Sequence, residues 1–286
     1  MRYLILLCLL NPVITIAETS LWRVSKGDSE LFIGGTVHML SHQDYPLPVE
    51  FDKAYKKADM VVFETDIQAM TLPGNQQKFL KRVTYKGNKT LKDDLKPKTY
   101  SVLADYLSSI GLTIGALNQY KPPMIMITLV LAELQRLELA EAGVDEYYNK
   151  KALADGKTLG ELESFEAQLS VIENLAKGHE DEMILSTIAD MKKLSIIMKD
   201  MKIAWRDGDV NTLEKLGVIP MKSEFPELYQ LLLVKRNNTW IPKIEAMLKT
   251  PEIELVLVGA LHLVGTEGVF SKLRTQGYTV ELFKNN

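Results

Sequence analysis

Leu31-Phe32-Ile33-Gly34-Gly35-Thr36-Val37-His38, near the start, and Leu255-Val256-Leu257-Val258-Gly259-Ala260-Leu261-His262, near the end, repeat one pattern: an apolar run that passes into Gly-x-x-His. An apolar run of this length reads as a strand buried on both faces. Glycine at its end permits a sharp turn or a close approach of the backbone to a ligand, and delivers the following histidine to the rim of a sheet. A third run, Val61-Val62-Phe63-Glu64-Thr65-Asp66, ends in carboxylates in the same fashion. Ligands in open α/β sheets gather at the carboxyl ends of strands. The expectation is that His38, Glu64 and His262 point at one place. A single Gly-x-x-His is a weak signal, since two fixed residues in four recur by chance and a histidine on an apolar segment is more often part of the core. The matched pair is stronger, because the chain has only four histidines and two of them fall at equivalent places in the repeat.

Working outward, strand-like runs cluster at the two ends of the chain: Leu21 to Val24, Leu31 to Ile33 and Met60 to Phe63 early, Ile253 to Val258 and Tyr278 to Phe283 late. From about residue 100 to 248 the pattern is helical. Pro122 opens one helix, Asp145 reads as the N-cap of a helix over Glu146 to Ala154, and Glu180 to Trp205 forms a long amphipathic stretch. The fold class that follows is α/β (α+β): a mixed sheet assembled from N- and C-terminal β-containing repeats, with a large helical middle layer over it. Residues 18–286 read as a single domain.

Residues 1–17 have the layout of a secretory signal peptide: Arg2, a mostly apolar run from Leu4 to Ile16, then Ala17 at the cleavage point. The expectation is an exported protein, periplasmic or secreted. The apolar run is short for a bilayer core, which takes about 20 residues to cross, and no later stretch reaches that length. Cys8, the only cysteine, falls inside this segment, which leaves neither a disulfide nor a thiolate metal site after cleavage. With 46% hydrophobic and 25% charged residues over 286 positions, the chain can bury a sizeable core, and a net charge of −3 without a basic block argues against nucleic acid as a partner.

Two neutral imidazoles and a carboxylate form a common ligand set for a divalent transition metal, and an open coordination position activates water. Hydrolysis is the natural chemistry of such a set. His42, four residues after His38, would share a face with it on a helix, but Pro46 and Pro48 follow quickly and it reads as a loop residue, with a role as ligand or outer contact the lesser alternative; His179 reads as a solvated helix start without a role.

At these residues the sequence resembles a known family. Gly-Gly-Thr-x-His after a hairpin, Phe63-Glu64-Thr65 on the next strand and Val258-Gly259-Ala260-Leu261-His262-Leu263 near the C-terminus are similar to the TraB/PrgY/GumN family. Between them, Gly143-Val144-Asp145-Glu146-Tyr147-Tyr148, Gly156-Lys157, Leu162-Glu163 with Gln168, and Arg236-Asn237 with Trp240 resemble the family's central segment and its Arg-Asn motif. The resemblance covers nearly all of Leu21 to Phe283. It implies an α/β fold shared at a distance with the erythromycin esterases, ChaN-like proteins and Tiki metalloproteases. From the Tiki branch it implies manganese- or cobalt-dependent proteolysis, with His38, Glu64 and His262 as metal ligands; zinc is the third metal that suits the set.

Arg236 is a planar cation able to hold a carboxylate or steady an oxyanion, and Asn237 is a second donor, so the pair can polarise a scissile carbonyl. The plainer alternative pairs Arg236 with a structural carboxylate such as Glu163. Glu163 itself suits a general base, a metal ligand or a helix N-terminal charge. Asp145 reads as a helix cap as easily as a functional acid, with capping preferred, and Trp205 and Trp240 read as core or lid contacts. Three functions follow as expectations: a metal-dependent hydrolase, most simply a Tiki-like metallopeptidase acting on a peptide or a small ester or amide; a metal-independent, esterase-like hydrolase with a histidine base; or a protein that sequesters a peptide without turnover, since TraB and PrgY are linked with inhibition of peptide pheromone signalling.

Overall fold

The computed structural model describes residues 19–284; the expected signal peptide, its expected cleavage point and Cys8 lie outside the described residues. Among the described residues, eight strands carry the architecture: β1 Leu21–Lys26, β2 Ser29–Thr36, β3 Met39–Leu40, β4 Met60–Phe63, β5 Glu141–Ala142, β6 Thr158–Glu161, β7 Glu254–Gly259 and β8 Thr279–Leu282. Six of them form one mixed sheet in the order β6-β4-β7-β2-β1-β8, while β3 and β5 make a separate antiparallel pair. β2, β7, β4 and β6 run parallel; β1 and β8 are antiparallel to their neighbours.

This order places the two Gly-x-x-His runs side by side. Thr36 of β2 is in register with Gly259 of β7, and Phe63 of β4 with Leu257 of β7 and Glu161 of β6. Four strand ends therefore open onto one carboxyl edge. β7 lies at the centre with Glu254 to Val258 buried, as its unbroken apolar run requires, each fully buried Val or Leu contributing roughly 1.5–3 kcal/mol.

Gly34 and Gly35 do not turn the chain. Both lie within β2, and they admit helices onto the two faces of the sheet. A Cβ on Gly34 would stand 2.6 Å from the Phe51 ring, carried by the helix Val49–Lys57; one on Gly35 would stand 3.1 Å from Ala260 Cβ. Phe51 packs in turn on Tyr148 and Trp205, with centroids 6.1 and 6.0 Å apart. On another flank Trp22 meets Phe270 of the helix Val269–Thr275 at 4.6 Å.

The helical middle departs from expectation in three ways. After the helix Val49–Lys57 and β4, the helical run begins before residue 100, with Pro73–Val83. The stretch Glu180 to Trp205 is two helices, Glu180–Met191 and Leu194–Asp207, broken at Lys192 and Lys193. And the middle lends the main sheet an edge strand, β6, so the sheet is not assembled from the chain ends alone. Pro122 opens the helix Pro122–Arg136 as expected; with Pro97–Ser109 and Glu180–Met191 it encloses a second apolar cluster around Leu103, Leu107, Ile125, Leu129 and Ile184. No described helix is long and apolar enough to cross a membrane.

Candidate active site at the carboxyl edge of the sheet

Glu64 follows β4 directly, His38 lies two residues beyond β2, His262 three beyond β7 and Glu163 two beyond β6. The three residues expected at one place meet around Gly259. A Cβ built there would stand 3.2 Å from Glu64 Oε1, 3.6 Å from His262 Cδ2 and 3.8 Å from His38 Nε2.

Each histidine is anchored through Nδ1 on the side away from this point. His262, with 6% of its side chain exposed, places Nδ1 2.7 Å from Asn237 Oδ1 and stacks on Trp240 with ring centroids 4.3 Å apart. His38 places Nδ1 2.9 Å from Asp145 Oδ2. The network defines His262 as the neutral Nδ1–H tautomer, since its Nε2 faces the Arg236 Nη1–H at 3.0 Å and a guanidinium only donates.

Arg236 ties the centre together. Besides His262 it donates through Nη2 to Glu64 Oε2 at 2.5 Å and to Glu163 Oε1 at 2.6 Å, and through Nε to both oxygens of Glu163 at 3.1 and 3.0 Å. It also lies over Trp240, 4.8 Å from the ring centroid. The plainer sequence alternative, an Arg236–Glu163 pair, is thus present, and Glu64 shares the same cation. Asn237 does not do what was expected of it. Its Nδ2 donates to the carbonyls of His262 and Glu267 at 3.2 and 2.9 Å, which leaves no donor for a substrate; it locks His262 from behind.

Asp145 also departs from its reading as a cap. The helix is Val144–Ala154, its N-cap is Gly143, and Asp145 in the first turn reaches His38. His42 begins a 3-10 turn at the rim and pairs with Glu141 at 3.1 Å. His179 is the exposed cap of Glu180–Met191 and faces Glu227, remote in sequence from all these residues. Trp205 and Trp240 are both buried; Trp240 is the one that touches the site.

The electrostatics follow from these contacts. Burial raises the Glu64 pKa, but the facing His262, Arg236, His38 and the Gly259 N–H, 2.7 Å away, outweigh it and hold the carboxyl down to about 2. Burial, aided by the positive charges of Arg236 and His38, pushes His262 down to about 3 against the pull of Glu64. His38 moves the other way. What burial it has lowers its pKa, yet 63% of its side chain is exposed, and the carboxylates of Asp145 and Glu64 lift it to about 9. At neutral pH the centre holds ionised Glu64, neutral His262 and cationic His38.

A cavity of about 710 Å³ between the helix Glu180–Met191 and the segment 224–235 is lined by Leu175, Met183, Phe225, Leu231 and Lys235. It reaches the residue beside Arg236 but none of the site's own side chains. The hydroxyls of Thr36, the last residue of β2 and two before His38, and of Thr65, directly after Glu64, are buried without a hydrogen-bond partner.

This arrangement sits on the residues that a family model spans from 20 to 282. The chain belongs to the TraB/PrgY/gumN family. Among curated relatives, the uncharacterized protein YbaP of Escherichia coli (strain K12) is 26% identical over 251 residues, covering 87% of this chain and 89% of that protein, and the YbaP of Shigella flexneri gives the same figures. No solved structure matches significantly. The family accounts for the motifs as a set; their chemistry has to be argued from the site.

For a metal, the donors fit in type. His38 Nε2 and a Glu64 oxygen approach one point, His262 turns its Cδ2 edge to it, and each imidazole is held through Nδ1 by an outer partner, as metal-binding histidines are. They do not stand at ligand spacing: among the described residues no three His, Cys, Asp or Glu side chains are gathered closely enough to hold an ion. His262 Nε2 lies 3.9 Å from Glu64 Oε1, and its lone pair is taken by Arg236. Binding a cation at these three residues requires Arg236 to release His262 and His38 to lose its proton.

Proposed function

We propose that the protein is an exported hydrolase of peptide, amide or ester bonds, and that its chemistry takes place between His38, Glu64 and His262. The observation that carries this reading is their convergence on Gly259 from three adjacent parallel strands, with both imidazoles anchored from outside. A fold built only for stability has no use for two such anchored rings and a carboxylate at a strand edge, where ligands of open sheets collect.

The three residues would hold a divalent transition metal, with manganese, cobalt and zinc the candidates, which supplies a Lewis acid and lowers the pKa of water. The ionised Glu64 and neutral His262 are already in the protonation states that ligation needs. Arg236, a permanent cation bonded to both Glu64 and His262, would face the charge that develops on a carbonyl oxygen as water adds. Glu163 orients Arg236, and Asn237 orients His262.

The contact between Arg236 Nη1 and His262 Nε2 favours a second reading, hydrolysis without metal. Arg236 keeps its place and steadies the oxyanion. Water adds to the carbonyl carbon as Glu64 accepts its proton, and His38 gives its Nε2 proton to the leaving amine or alcohol as the bond to carbon breaks.

His38→Ala and His262→Ala are expected to abolish turnover of a peptide or ester library while leaving the thermal transition in place. Retention of full activity by both variants removes the site assignment. Activity that survives exhaustive chelation selects the second reading, and recovery of intact, bound peptide rejects both.

A further inference from the structure

The two site histidines are held by unlike means. His262 is enclosed, so packing against Trp240 and the bond to Asn237 both define its ring. His38 keeps most of its side chain open to solvent, and packing cannot define it. Its ring plane is set by the bond from Nδ1 to Asp145 Oδ2.

The chain builds a clamp that brings Asp145 there. Immediately after His38, Met39 and Leu40 pair with Ala142 and Glu141 in the separate two-stranded sheet. Tyr45 donates its hydroxyl to the Ala142 carbonyl at 2.7 Å, and His42 faces Glu141. Gly143 comes next: a Cβ there would stand 2.4 Å from the His38 carbonyl oxygen and 2.5 Å from that of Val37, so glycine is what lets the helix start against the His38 backbone. The Val144 N–H then donates to the Val37 carbonyl at 3.1 Å. With the first turn of Val144–Ala154 fixed against residues 37 and 38, the side chain one position on falls on the imidazole. Asp145 Oδ1 is buried without a partner. A carboxylate left half satisfied costs stability that a helix N-terminus offsets only in part, which is unlike a residue kept for capping alone.

We propose that Asp145 is the positioning residue of His38: it takes the Nδ1–H, fixes the ring plane and so directs Nε2 at Glu64 and His262. The inference rests on reading these three residues as one site. Asp145 acts through His38, as Asn237 acts through His262, the amide serving the enclosed ring and the carboxylate the open one.

The test uses the full chain labelled with ¹⁵N-histidine, with the His38 signals assigned by their loss in His38→Ala. In the wild type the His38 Nδ1 proton is expected to be protected from solvent exchange. In Asp145→Ala that protection should fall at least about tenfold, and Asp145→Asn, which keeps an acceptor, should restore part of it. Unchanged exchange in Asp145→Ala overturns the proposal; if that variant does not fold, Asp145→Asn decides, since a partial loss supports the proposal and wild-type protection contradicts it. A cobalt titration of the same proteins adds a functional readout: loss of this outer contact should weaken binding by about 10- to 100-fold with the melting temperature nearly unchanged. If wild type takes up no cobalt, the metal reading fails and the exchange measurement alone decides the role of Asp145.

Discussion

Arg236 Nη1 lies 3.0 Å from His262 Nε2, a permanent cation set against the lone pair of an enclosed imidazole. The contact is held in place by Glu64 and Glu163, both within 2.6 Å of the same guanidinium. It makes Arg236 a structural keystone as well as a permanent cation beside the proposed chemistry.

Removing that cation leaves two enclosed carboxylates facing each other. Arg236→Met should therefore destabilise the fold by about 3–5 kcal/mol, the usual cost of breaking a buried pair on one side, measured by urea unfolding. Arg236→Lys keeps the charge but cannot bridge both carboxylates as a planar fork, and should lose less. A loss below about 1 kcal/mol for Arg236→Met contradicts the network.

Stability should depend on pH from both sides. His262, lowered from 6.5 to about 3, stays neutral in the folded protein while the unfolded chain takes a proton, so its contribution is lost as pH falls from about 6.5 toward 3. Glu64, lowered from 4.5 to about 2, adds a loss between those values. His38, raised from 6.5 to about 9, contributes fully below 6.5 and loses its contribution as pH rises through 9. Urea midpoints should fall away on both sides of about pH 6.5; His38→Gln should flatten the alkaline limb and His262→Gln the acid limb. Midpoints in these variants with the wild-type pH dependence contradict the assignments.

Two glycines separate fold from site. Gly143→Ala forces a Cβ against the His38 backbone at 2.4 Å and should lower the melting temperature sharply. Gly259→Ala meets nothing closer than 3.2 Å, and that neighbour is the Glu64 carboxylate; it should fold nearly as well as wild type yet lose activity, because the new methyl fills the point where the three side chains converge. Calorimetry and a turnover assay on both variants check this, and a fully active Gly259→Ala contradicts it.

Much of this arrangement was legible in the sequence, because the central strands of a parallel sheet are buried on both faces and announce themselves as apolar runs. The apolar run Met60 to Phe63 coincides with β4, and His38, Glu64 and His262 follow the ends of β2, β4 and β7. β6 escaped because Thr158-Leu159-Gly160-Glu161 is a short edge strand with one apolar residue and a glycine. Asp145 escaped because an acid at a helix start satisfies the capping rule equally well, and only the pairing of β3 with β5 brings it to His38. The duty of Asn237 depends on which backbone carbonyls lie beside it, a tertiary fact with no local signature.

The most direct test of the central claim is the metal content of the purified protein beside a His38→Ala/Glu64→Gln double variant, each equilibrated in turn with manganese, cobalt and zinc. Near-stoichiometric metal in the wild type and none in the variant is the result expected if these side chains form one metal-holding site. Equal metal in both, or none in either, contradicts it.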